Sequence, residues 1–296
     1  KETSTLKKPV PLDKIKPVIL CGGIGKRLRP LSSSLHAKQF ISLFSIPSSF
    51  QQTIKRIGNS ALFSTPLFIT NKNQAREVHA QASVVTAGEN FSILTETSRK
   101  NTAPAIIGTA VYWKKYDQGN QPLLFLPSDH YIPNKEAFEK AINKGLSSLK
   151  KHPDCIICFG IKPRIAHTGY GYIQKGKDNT ILSFTEKPNK KRAKKYIASG
   201  QYLWNSGIFL CTSGTLINEA KKYCPDILNG VQADRDNKRI INDKTTSLSF
   251  DIAIMEKSRN TKVIETDFIW SDLGSWKQLT VYLYNKLFKK DVSYNP

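Results

Sequence analysis

The stretch Val18-Ile-Leu-Cys-Gly-Gly-Ile-Gly-Lys-Arg-Leu-Arg-Pro-Leu-Ser32 begins as an apolar run and turns abruptly into glycines and cations. Gly22, Gly23 and Gly25 put no side chain in the way of their backbone N–H groups. A loop of this composition between a strand and a helix can therefore converge several donors on a phosphate. Lys26, Arg27 and Arg29 follow, and Lys38 stands a little further on. Several cations beside exposed donors suit a triphosphate, whose charge must be neutralised before a nucleophile approaches. Two familiar cradles are excluded. Leu28 stands where the dinucleotide fingerprint needs its third glycine, and Leu20 and Arg27 fill the first-glycine and hydroxyl positions of a P-loop.

A second candidate for chemistry, Cys155-Ile-Ile-Cys158, reads as core. It lies inside DCIICFGIKP, an apolar strand pattern in which residues three apart point to opposite faces, and no second cysteine pair or histidine cluster completes a zinc site.

The elements that must carry the loop follow from the pattern of apolar runs. Strands are expected at Pro17 to Leu20, Pro66 to Thr70, Phe91 to Leu94, Pro122 to Leu126 and Cys155 to Ile161. Helices are expected over Asn71 to Ala82, Thr102 to Tyr116 and Lys135 to Lys150, where apolar residues recur at three- and four-residue spacing. This alternation predicts an α/β fold with a mostly parallel central sheet flanked by helices, which binds ligands at the carboxyl edge of its strands. After about Lys162 the texture changes to Gly, Tyr and short strands, then a Lys-rich helix, GIFLC and KVIETDFIW. That half reads as a mixed-strand insertion closing over a site on the first half. Ser275 to Lys290 reads as an amphipathic helix packing back. The expected organisation is one catalytic unit over residues 1–296. Within it, about 15–160 form a nucleotide-binding half, about 161–274 a sugar-binding half and 275–296 a C-terminal helix.

The chain has 296 residues, 39% of them apolar, enough for a sizeable core. Lys and Arg number 45 against 23 Asp and Glu, a formal net charge of +22, so polyanionic partners come first. The cations scatter through many segments and no nucleic-acid motif is present, which argues against a nucleic-acid-binding module. No apolar run approaches the ~18 residues of a membrane span, and KETSTLKKPVPLDKIK lacks a signal peptide's apolar centre. The expectation is a cytoplasmic protein without a membrane partner.

The run GGIGKRLRPLS followed by AKQF resembles the signature of the sugar-1-phosphate nucleotidyltransferases. RKNTAPAI, LLFLPSDHYI, HTGYGYIQKG, FTEKP, YLWNSGIF, DIAIMEKS and DFIWSDLGSW, in this order up to Trp276, are similar to the bacterial mannose-1-phosphate guanylyltransferase branch. Three positions depart from the pattern: Lys26 replaces Ser or Thr, Cys21 replaces a frequent Ala, and Ala37 replaces Pro. They bear on loop geometry rather than on reaction class.

The resemblance implies a Rossmann-like nucleotidyltransferase fold and transfer of GMP from GTP to mannose 1-phosphate. Arg27 would hold the β- and γ-phosphates, and Lys38 would stabilise charge at the α-phosphate and the sugar phosphate. Gly22, Gly23, Gly25, Lys26, Asn101 and Ala103 would line the nucleotide, with Glu96 as a reader of the guanine N1–H and N2–H donors. Gly169, Glu186, Lys187 and Asn205 would take the sugar phosphate. Asp129 and Asp272, each just past an apolar run, would hold Mg²⁺, a hard cation suited to phosphate oxygens. His130, beside Asp129, reads as structural, since the reaction has no proton to abstract. The same resemblance allows another hexose or heptose 1-phosphate, or another nucleotide, and a homodimer. Neither of the family's C-terminal additions, an isomerase barrel or a β-helix, is expected within these residues.

Overall fold

The computed structural model describes residues 14–23, 37–42, 46–88, 90–117, 121–234, 236–241 and 245–273, together with 280, 281, 283, 284, 287 and 288. The strands are β1 (Lys16–Leu20), β2 (Leu67–Asn71), β3 (Ser92–Glu96), β4 (Leu123–Pro127), β5 (Ile156–Ile161), β6 (Tyr172–Lys175), β7 (Ile181–Thr185), β8 (Tyr202–Cys211), β9 (Val231–Asp234), β10 (Arg239–Ile241) and β11 (Thr261–Thr266). Among the described residues they form one sheet in the order β11-β5-β8-β4-β1-β2-β3-β10-β9, with the β6–β7 hairpin attached to β8.

The expected mostly parallel sheet is present: β4, β1, β2 and β3 run parallel in succession, as do β11 and β5. Alternation along each strand feeds two cores. Ile19, Phe68, Leu124 and Leu126 face one core; Val18, Leu67, Ile69, Leu94, Leu123 and Phe125 face the other. The helices are α1 (Ser49–Ile57), α2 (Ala75–Val85), α3 (Thr102–Asp117), α4 (Lys135–Lys151), α5 (Lys190–Ser199), α6 (Ser213–Tyr223) and α7 (Pro225–Gly230). Residues of α1, α2, α4 and α5 cover the first face; those of α3, α6 and α7 cover the second.

Three elements differ from the sequence expectations, two of them for reasons visible in the local sequence. The helix expected from Asn71 begins instead as a 3-10 turn at Lys72–Gln74, because the Asn71 side chain accepts the Asn73 N–H and caps a tighter turn. Helix α1 is not among the expected elements, although Ser48 and Gln51 form a reciprocal capping box and Phe50, Ile54 and Ile57 lie on one buried face. The second half is more than an insertion: β6 and β7 form a hairpin, but β8 enters the middle of the sheet antiparallel to both β4 and β5. Its ten residues are long enough to pair with three strands, and most are buried.

In the C-terminal segment, residues 280, 281, 283, 284, 287 and 288 are helical. Val281 and Leu283 pack against Tyr131 and Leu273. The remainder of the helix expected over Ser275 to Lys290 lies outside the described residues. Among the described residues no helix is long and apolar enough to cross a membrane.

Candidate active site

The chain leaves β1 through Cys21, Gly22 and Gly23 at the carboxyl edge of the sheet. Cys21 N–H donates to the Ile69 carbonyl at 2.8 Å, which keeps the exit in strand register with β2. Gly23 has φ +105°, a conformation side-chain-bearing residues rarely adopt. The Gln39 amide, 1% exposed, donates to the carbonyls of Cys21 at 3.1 Å and Gly23 at 3.3 Å, bracing the start of the loop. Sequence reasoning assigns Gln39 no role, although it sits in the AKQF motif. Gly25, Lys26 and Arg27 lie outside the described residues.

The carboxylates come from two separate edge loops. Asp129 follows β4, whose exit is tied to β1 by Ser128 N–H donating to the Leu20 carbonyl at 3.2 Å. Asp272 follows the segment after β11. Tyr131 and Ser271 exchange two backbone hydrogen bonds, at 2.8 and 3.1 Å, and stitch the two loops together. Lys38 closes the junction. Its Nζ lies 2.9 Å from Asp129 Oδ2 and donates to the Asp272 carbonyl at 2.7 Å and the Leu273 carbonyl at 3.3 Å. Burial opposes ionisation of Asp129, but the Lys38 ammonium outweighs it and holds the carboxyl below the ordinary range. The Asp272 carboxylate accepts from the Tyr170 hydroxyl at 2.9 Å.

The loop carrying Asp129 is fixed from below. Arg56, on the buried face of α1, donates to the carbonyls of Ile132 and His130, each at 3.1 Å; burial pulls its guanidinium down to about 10. His130 receives the Trp270 indole N–H on Nδ1 at 3.2 Å, with the rings edge to face. That bond requires an unprotonated Nδ1, and burial lowers the imidazole pKa. A neutral ring committed at Nδ1 fits the structural role expected for it.

A cleft of about 500 Å³ opens beside this junction, lined among others by Gly22, Gly23, Glu96, Asn101, Asp129 and Asp251. Glu96, at the end of β3, is 5% exposed; one carboxylate oxygen has no hydrogen-bond partner among the described residues, and burial pushes its carboxyl up to about 7. An unsatisfied buried acceptor at a cleft wall is poised for a ligand's N–H donors. Asn101 takes a left-handed φ of +67° and accepts the Thr102 N–H at 2.9 Å. Ala103 is fully buried and its N–H is spent on the Leu248 carbonyl at 3.1 Å, so it supports the cleft from behind. Arg99 and Lys100 line the same cleft.

Glu186 at the end of β7 pairs with Lys187 at 2.5 Å, and its backbone N–H donates to Glu256 at 2.9 Å. Asn205 on β8 donates through Nδ2 to Asp251 at 2.8 Å. Gly169 packs against His167, where a Cβ would come within 2.7 Å of the imidazole. Gly171 is the glycine that abuts Glu186 and Asn205, at 2.7 Å and 3.3 Å from its Cβ position, and its carbonyl accepts the Asn205 N–H at 2.8 Å. The two glycines share one short motif, TGYGY, and only the turn geometry separates their tasks. Asp251 receives no role from the sequence either. It lies on the cleft wall, and burial with Glu186 nearby raises its carboxyl to about 7.

Thus Lys38, Asp129 and Asp272 meet. Glu96 and Asn101 share a cleft with Asp129, and Glu186, Lys187 and Asn205 form a second group joined to that cleft through Asp251.

A family profile described as nucleotidyl transferase matches residues 16–285. The chain is 35% identical over 297 residues to a mannose-1-phosphate guanylyltransferase of Sinorhizobium fredii (strain NBRC 101917 / NGR234), covering 93% of this chain and 56% of that protein. It is 36% identical over 286 residues to a mannose-1-phosphate guanylyltransferase of Escherichia coli (strain K12), covering 90% and 59%. The chain therefore spans 56% and 59% of the length of these two relatives. Among solved structures, one described as a mannose-1-phosphate geranyltransferase from Thermus thermophilus aligns with a TM-score of 0.76 at 26% identity, covering 94% of this chain and 80% of that one. The relatives' names agree with the branch to which the sequence motifs pointed.

Proposed function

The chain belongs to the nucleotidyl transferase family, and from that premise we propose that it transfers GMP from GTP to α-D-mannose 1-phosphate, forming GDP-mannose and releasing pyrophosphate. The observation that carries this reading is the Lys38 junction. One ammonium joins the two carboxylate loops beside a cleft of about 500 Å³, and Asp251 on the wall of that cleft leads to a group of sugar-type hydrogen-bonding side chains.

In the proposed reaction an oxygen of the sugar phosphate attacks the α-phosphorus, a new P–O bond forms, and the bond to the β-phosphate oxygen breaks to release pyrophosphate. The attacking phosphate is already ionised near neutral pH, so no general base is required, and the His130 Nδ1 is taken up by the Trp270 indole N–H. Rate comes from alignment and charge neutralisation. Lys38 stands where charge on the α-phosphate and sugar phosphate would be offset. The hard oxygen donors of Asp129 and Asp272 fit Mg²⁺ and would hold it; when bound, it would neutralise phosphate charge. Arg27 is assigned the β- and γ-phosphates from its motif position. Glu96 would accept from guanine N1–H and N2–H, a pattern that adenine and the pyrimidines do not present. Glu186 and Asn205 would bond the sugar hydroxyls, with Lys187 beside the sugar phosphate. Gly22 and Gly23 offer the nucleotide unobstructed backbone.

Pyrophosphate release in the presence of Mg²⁺, crossing GTP, ATP, UTP and dTTP with mannose 1-phosphate and glucose 1-phosphate, tests the proposal. Release with GTP and mannose 1-phosphate is the expected result. Release confined to another pair would replace the substrates, and silence in every combination would overturn the reading.

A further inference from the structure

Asp251 takes no part in the neutralisation just described, yet it lines the cleft and accepts from Asn205. Asp251–Met255 forms a single π turn, in which the Glu256 N–H donates to the Asp251 carbonyl five residues back at 2.9 Å. Such wide turns are uncommon and recur at functional sites. This one is anchored on several sides. The Phe250 N–H donates to Thr102 Oγ1 at 2.9 Å, at the start of α3, and the Phe250 ring packs edge-on against Phe209 with centroids 4.9 Å apart. Ala253, Ile254 and Met255 are buried behind it.

With its backbone held, Asp251 presents Oδ1 to the Asn205 Nδ2 at 2.8 Å. The other end of that amide accepts the Gly207 N–H at 3.0 Å. Gly207 has φ +70° and lies where β8 slips register against β5, between the pairs Gly160 with Asn205 and Cys158 with Phe209. Strand β8 bulges here, and Gly207 lies on the cleft wall with Asn205 buried just behind it. An amide gripped at both ends cannot flip. It keeps one N–H and one oxygen lone pair, in known places, for a ligand.

Resting on the mannose 1-phosphate reading, we propose that Asp251 is a positioning residue for sugar recognition, locking the Asn205 amide in the one orientation that meets the sugar's hydroxyls. The surroundings fit this role. Glu186 and Lys187 at the end of β7 face Asp251, and Glu256 on the same turn takes the Glu186 N–H. Below its raised pKa of about 7, Asp251 is chiefly neutral, so it sits near Glu186 without charge repulsion while its carbonyl oxygen still accepts from Asn205.

The test uses the full chain with Asp251→Leu, which removes the acceptor, and Asp251→Asn, which keeps one. The Leu variant should raise KM for mannose 1-phosphate about tenfold, leave KM for GTP within about twofold, and narrow the preference for mannose 1-phosphate over its C2 epimer glucose 1-phosphate. The Asn variant should recover most of that loss, and Asp251→Leu should add nothing in an Asn205→Ala background. If the Leu variant does not fold, Asp251→Ala carries the same comparison. Equal rises in both KM values, a lowered melting temperature with kinetics unchanged, or additive effects with Asn205→Ala would overturn the proposal. Wild-type turnover of a different sugar phosphate would sink the substrate reading alone, because the same comparison made with that sugar still decides the role of Asp251.

Discussion

Lys38 Nζ lies 2.9 Å from Asp129 Oδ2, and the same ammonium donates to the backbone of the loop that carries Asp272. This one cation therefore ties together the ends of strands far apart in sequence. Lys38→Met keeps the apolar stem and removes the charge. It should lower turnover by roughly 10²–10³-fold, the usual cost of losing one preorganised donor to a developing charge, with a near-wild-type circular dichroism spectrum. A folded variant with unchanged turnover would remove Lys38 from the mechanism.

Asp272 accepts the Tyr170 hydroxyl at 2.9 Å, an interaction that an amide oxygen can also make. Asp272→Asn should therefore fold normally. It should lose turnover by orders of magnitude and need a higher Mg²⁺ concentration for half-maximal rate, because the metal would lose a charged ligand. A Mg²⁺ titration of both proteins checks this, and coincident curves would refute the assignment.

Glu96 supplies a prediction with a definite sign. Its carboxyl rises from 4.5 to about 7 on folding, chiefly through burial. Between those values the folded chain holds a proton that the unfolded chain has released, so this group's contribution to stability falls as pH rises through the window and is constant above it. Glu96→Gln should thus gain up to ~3 kcal/mol relative to wild type at pH 8 and nothing at pH 4, read from denaturant melts. The same variant should bind GTP at least about tenfold more weakly, since the amide keeps one acceptor oxygen and sets an N–H donor against the second guanine donor.

Arg56 acts through structure alone. Its donors satisfy the His130 and Ile132 carbonyls under the Asp129 loop, and Arg56→Met would leave both without that partner. The expected cost is about 1–3 kcal/mol of stability, because removal of the buried charge offsets part of the lost bonding. Urea denaturation measures it; a neutral result would mean that water or another donor replaces the guanidinium.

Much of the framework is legible in the sequence. The apolar runs around Val18, Phe68, Leu94, Phe125 and Phe159 are strands within a residue or two of where periodicity places them; all but the one around Leu94 are buried on both faces and declare themselves locally. Helix α1 is harder to read although Ser48, Gln51 and its buried stripe are all visible, because SFQQTIKRI is polar on average.

The residue types and spacing alone determined that this chain places a glycine and cation loop after its first strand and that the fold alternates strands and helices, and its motifs by their resemblance pointed to nucleotidyl transfer. These are short-range features, written in neighbouring residues. Only the tertiary structure decided that β8 runs antiparallel through the middle of the sheet, that Tyr131 and Ser271 draw the two aspartate loops together, that Gly171 rather than Gly169 abuts Glu186, and that Asp251 grips Asn205. Each depends on register and pairing between distant segments, whose energies come from who meets whom across the fold and leave no periodic mark in the local sequence.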